Sequence, residues 1–201
     1  MSKATPIQPW KKVCRLRKEI RERELKLEDF AVDLYQIVNR KGSGGPFYCD
    51  PEQFFATTYA TENLRKFCSG ILARLAGRSD GASVLNVAQT FGGGKTHALA
   101  TAYYLCTLGA KLPKHHPAVA EILAATKMTD PPTARIAAVS FDKVDWKAGG
   151  LVKSPSGEAR HFRMPWNLIA WQLLGKIGIE ILKRDEDESD YYEPPAQSLW
   201  M

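Results

Sequence analysis

The chain has no run approaching the ~20 apolar residues needed to cross a bilayer. A membrane-spanning helix is therefore not expected. Met1 to Trp10 is polar and contains two prolines, which is unlike the apolar heart of a secretory leader. Cysteine is sparse: Cys14, Cys49, Cys68 and Cys106 are scattered, with no Cys-x-x-Cys pair. That spacing excludes a disulfide framework and a cysteine zinc site, and it fits reduced thiols in a cytoplasmic protein. No internal repeat is evident. What the sequence has is 44% hydrophobic residues over 201 positions, enough for a folded core.

The net charge of +6 is concentrated at one end. Residues 1–26 hold nine Lys or Arg against three Glu, and the rest of the chain is balanced. Such an arm suits contact with nucleic acid or an acidic partner. A solvated helix face is the simpler reading, since Arg17, Arg21 and Glu24 lie at helical spacings and a lone basic run is a weak signal.

Apolar residues at 27, 30, 34, 37 and 38 predict an amphipathic helix, broken by Lys41-Gly42-Ser43-Gly44-Gly45-Pro46. Asp50-Pro51 reads as a helix cap with proline at the first helical position. Thr61 caps the next helix, whose Leu64, Phe67, Cys68, Ile71, Leu72 and Leu75 recur at intervals of three and four, with Gly77 to close it. Ser83 to Ala88 and Ile136 to Phe141 are short apolar runs of the kind found in buried strands. Helices are expected from His97 to Leu108, near Ala118 to Ala125, and from Leu168 to Leu182. Residues 146–163 read as an irregular or hairpin insertion. Alternating strands and helices predict an α/β fold: a P-loop NTPase-like parallel sheet with flanking helices over residues 79–201, preceded by a helical N-terminal region over 1–78.

The chemistry concentrates at Gly92-Gly93-Gly94-Lys95-Thr96. A triphosphate needs many donors and little side-chain bulk, and glycines let backbone N–H groups turn toward it. Lys95 would reach the β- and γ-oxygens, the Thr96 hydroxyl would ligate Mg²⁺, and the helix beginning there adds the positive end of its dipole. ATP with Mg²⁺ is the expected ligand. The full Walker A pattern asks for glycine at the position of Gln89, so the entry to this loop departs from it. His97 follows in the first helical turn and is a further candidate for the nucleotide site.

A hydrolytic site also needs a carboxylate at the end of another strand. Asp142 is the one candidate, and Lys143 rather than an acid follows it. The catalytic acid is thus unassigned. A small kinase with an acceptor pocket among Asp142, Asp145, Arg160 and Arg163 is an alternative reading. His115-His116 has no partner at metal-ligand spacing along the chain, so no zinc site is expected from it. Trp166 and Trp171, among Leu168, Ile169 and Leu173, read as core.

Gln89-Thr90-Phe91-Gly92-Gly93-Gly94-Lys95-Thr96-His97 resembles the phosphate loop of a family of large bacterial and archaeal AAA-type P-loop ATPases. That family is known chiefly as a domain of unknown function and is associated with anti-phage defence loci. Pro9 to Cys14, Glu28 to Leu34, Tyr48 to Phe55 and Leu168 to Leu173 resemble further segments of it. Thr58-Tyr59-Ala60-Thr61 resembles a Thr-Tyr-Pro-Thr element, departing at Ala60. The family does not hold the Gln89 position to glycine. The resemblance implies phosphate-binding roles for Gly92 to Thr96 only, other subunits of a defence system as partners, and a longer parent protein. In that parent an Asp-Glu strand would follow a stretch like the one ending at Met201.

Overall fold

The computed structural model describes residues 8–16, 21–22, 31–39, 47–78, 83–88, 92–145 and 147–182. The chain divides into two compact units, residues 1–31 and 32–201. In the first, α1 (Trp10–Val13) is a single turn. Lys11, Lys12, Arg15 and Arg21 are exposed there, and the other basic positions of the arm lie outside the described residues.

The second unit carries the core. Helix α2 (Leu34–Asn39) is started by Asp33, whose Oδ1 accepts from Tyr35 N at 2.9 Å. Helix α3 (Pro51–Ala56) opens as its sequence asks, with Asp50 accepting from Glu52 N at 3.0 Å and proline at the first position. Helix α4 (Glu62–Leu75) is capped by Thr61 Oγ1, which accepts from Leu64 N at 3.2 Å. It buries Leu64, Cys68 and Leu72, one row at i, i+4 and i+8. Leu75 is left exposed, so the buried stripe is narrower than its apolar spacing suggests.

Helix α5 (Lys95–Leu108) is the centre of this unit: residues 100 to 106 are all buried. A helix apolar on every side must be surrounded, and α2 and α4 pack against it. Tyr104 at its middle donates to Tyr48 O at 2.7 Å within the core. Helix α6 (Pro117–Thr126) lies on α4 and adds Val119 and Ile122. Cys68 and Cys106 are buried in the same cluster, which raises their thiols to about 12 and about 11 and leaves them protonated and unreactive.

A second cluster forms around a hairpin. Strands β1 (Gly150–Lys153) and β2 (Ala159–Phe162) pair antiparallel, with Gly150 opposite Phe162 and Lys153 opposite Ala159. The turn between them uses Gly157 at φ +90°. Val152 and Phe162 pack with Leu168, Trp171, Ile179 and Leu182 from α7 (Pro165–Leu174) and α8 (Lys176–Leu182). Trp171 is fully buried and donates its ring N–H to Glu158 O at 3.1 Å, the place of a core residue.

The expected fold class is overturned. Among the described residues the protein is mostly helical, and its one sheet is this two-stranded antiparallel hairpin; there is no parallel sheet. Ser83 to Ala88 forms no strand and pairs with nothing among the described residues, with Val84 82% exposed. Ile136 to Ser140 likewise forms no strand and is held from the side rather than in a ladder: Gln172 Oε1 accepts from Ala138 N at 2.9 Å, four residues beyond the point where Cys106 O accepts from Ala134 N at 2.8 Å. An apolar run sets a preference for extended, buried backbone, but a strand also needs a neighbour with matching donors and acceptors. Neither run has one among the described residues. The single helix expected from Leu168 to Leu182 is likewise two, because Gly175 sits at φ +61° and ψ −133°, outside helical space.

Candidate functional site

The loop before α5 is built by two glycines in left-handed conformation, Gly92 at φ +82° and Gly94 at φ +73°. A β-carbon would meet nothing within 4 Å at either, so backbone conformation rather than space makes glycine the residue here. Gly94 is the N-cap of α5, and its carbonyl accepts the first helical bond from Ala98 N at 2.9 Å. The helix start carries no side-chain cap. By contrast α3 and α4 are capped by side chains, and α3, α6 and α7 each open on proline, which removes a donor. The start of α5 is thus preceded by a glycine loop rather than by a capping side chain or a proline. Gly93 and Thr96 are exposed and Lys95 is half-buried. Gln89, Thr90 and Phe91 lie outside the described residues.

His97, one residue on, faces the α3–α4 connection. Its ring stacks on Phe54 with centroids 4.6 Å apart, and Nε2 is 3.1 Å from Thr58 Oγ1. The Thr58 hydroxyl already donates its one proton to Phe54 O at 2.8 Å. It can only accept from His97, so Nε2 carries the hydrogen. Burial lowers the His97 pKa below its ordinary value, which keeps the ring neutral.

Asp142 lies exposed in a 3₁₀ turn (Phe141–Lys143), 4.0 Å from Lys143 Nζ. Asp145 closes its own turn by accepting from Lys147 N at 2.9 Å, and Arg160 lies over the Phe162 and Trp171 rings. A cleft of about 400 Å³ opens between Tyr103, Arg135, Lys153, Ser154 and Gln172. None of the acceptor-pocket residues of the kinase reading lines it, nor does the glycine loop.

Sequence spacing missed one grouping: Glu52 lies within hydrogen-bonding distance of both His115 and His116. All four cysteines are free. No helix among the described residues is long and apolar enough to cross a membrane.

No curated protein and no solved structure matches the chain. The family model for the DUF499 N-terminal domain matches residues 10–193, nearly the whole chain, and the chain belongs to that family.

Proposed function

We propose that Gly92–Thr96 binds the phosphates of a nucleoside triphosphate, ATP accompanied by Mg²⁺. The observation that carries this reading is the pair of left-handed glycines feeding an uncapped 14-residue helix whose first residues are Lys95 and Thr96. Backbone N–H groups and the helix dipole favour an anion at that point without a parallel sheet to support them. Lys95 supplies a point charge for the terminal phosphates. Thr96, exposed, supplies a hydroxyl to the Mg²⁺ shell. His97 is neutral and turned to Thr58, so in this reading it fixes the first helical turn and does not add a cation.

The placement of this module at the front of a larger AAA-type ATPase acting in anti-phage defence is supported by the resemblance of Gln89 to His97 and its flanking segments. A nucleic-acid contact through residues 1–26 is supported by their nine basic side chains.

The test is calorimetry with Mg²⁺-ATP. Lys95→Ala removes a charge-assisted contact of about 1.5–3 kcal/mol, so affinity falls about tenfold or more. Phosphate release stays below about one turnover per second, since no strand among the described residues ends in paired acids to position a water. Equal ATP affinity in the two proteins overturns the assignment. Faster release, abolished by Lys95→Ala, shows a hydrolytic acid, and Asp142→Asn is the first variant to make.

A further inference from the structure

We infer that Glu52, His115 and His116 form a binding site for a divalent transition-metal ion of the zinc class, separate from the glycine loop. The three side chains come from two places in the chain. Glu52 stands in the first turn of α3, which is fixed by Asp50 and held to the core by Phe54 and Phe55. His115 and His116 lie 63 and 64 residues further on from it, in the turn before α6. That turn is closed by His116 N donating to Pro113 O at 3.2 Å, and Pro117 keeps His116 extended at φ −73° and ψ 132°. Neighbouring residues in a strand would point apart. Here the turn brings the two imidazoles together, their centroids 4.1 Å apart.

His115 Nε2 is 3.2 Å from Glu52 Oε1, and His116 Nε2 is 3.1 Å from Glu52 Oε2. One ligand atom from each of the three residues falls within 4.8 Å of the other two. Tetrahedral zinc with bonds of ~2.0–2.1 Å separates its ligand atoms by about 3.3 Å. The two His–Glu distances are close to that value and the whole set lies within 4.8 Å, so a shift of the exposed side chains closes a coordination sphere. Two imidazoles and a carboxylate are donors of the zinc type, and three protein ligands leave a fourth position for water. His116 is 17% exposed, while His115 and Glu52 are more open, so an ion reaches the site from solvent.

Two imidazoles donating to the two carboxylate oxygens would make the same contacts, and the metal titration below separates that arrangement from a bound ion. With metal bound, each neutral ring turns its Nε2 lone pair inward and carries its proton on Nδ1. The only lysine in this turn, Lys114, is engaged by Asp130. The ion would tie the start of α3 to the start of α6.

The experiment uses the full chain, purified without a histidine tag and stripped with chelator. Zn²⁺ is titrated against a chromophoric competitor, and Co²⁺ is used as a spectroscopic probe of coordination. One equivalent binds at micromolar protein, with a four-coordinate Co²⁺ spectrum. Glu52→Gln, His115→Ala and His116→Ala each weaken it by at least about tenfold. Cys14→Ser and His161→Ala, which alter an exposed thiol and an exposed ring elsewhere, leave affinity unchanged. Far-UV circular dichroism confirms that each variant is folded; Glu52→Gln is the least disruptive. Absence of binding at micromolar protein, or binding indifferent to folded Glu52→Gln and His115→Ala, overturns the inference.

Discussion

At His97 the ring's hydrogen bond fixes the tautomer and its burial fixes the charge. Thr58 accepts from Nε2 because its own proton is spent on Phe54 O, and the Phe54 ring covers one imidazole face. Burial favours the neutral form, and the pKa is lowered. Because the folded value lies below the unfolded one, the contribution to stability is complete above the unfolded pKa of ~6.5. It is lost as pH falls from there through the folded value. The urea midpoint should thus drop between about pH 7.5 and about pH 5.5, and His97→Asn should remove part of that drop. A His97 ring-proton titration by NMR at or above the ordinary histidine range would refute this. The lowered pKa was not legible in the sequence. His97 read as a residue beside phosphates, whereas its partners Phe54 and Thr58 come from 43 and 39 positions earlier.

Individual elements were legible where the signal was local. Asp50-Pro51 and Thr61 cap their helices as read, Gly109 ends α5, and the Ser-Pro-Ser-Gly stretch makes the hairpin turn. Each of these depends on a side chain and backbone a few residues apart. The phosphate-loop candidate was legible for the same reason, since glycines and Lys-Thr are contiguous. The Glu52–His116 contact and the lack of a pairing strand for residues 83–88 among the described residues are non-local, and no spacing rule reports them. Helices α7 and α8 show the intermediate case. Their apolar pattern runs on through Gly175, but the chain reverses sharply enough to bring Gly178 onto α7. A β-carbon on Gly178 would collide with the backbone carbonyl of Ala170. Gly178→Ala gains helix propensity yet forces two backbones apart, at a net cost of about 1–3 kcal/mol. Urea denaturation should read that as a lower midpoint. An unchanged or raised midpoint would mean that α8 slides freely on α7.

On the scale of the molecule, residues 32–182 hold two apolar clusters, one around α5 and one around the hairpin, and both exclude water well. Ser83-Val84-Leu85-Asn86-Val87-Ala88 belongs to neither cluster. It carries no charge and no proline, it is rich in β-branched and aliphatic residues, and its backbone bonds to nothing among the described residues. Those are the properties of a segment that templates intermolecular β-pairing. The chain by itself should therefore aggregate through these six residues as its concentration rises. Val84→Lys should suppress the light scattering and thioflavin fluorescence that wild type develops, with stability within about 0.5 kcal/mol. Equal aggregation by both proteins would clear this segment. Six residues that join α4 to the glycine loop are, on this argument, also what sets how concentrated the protein can be kept.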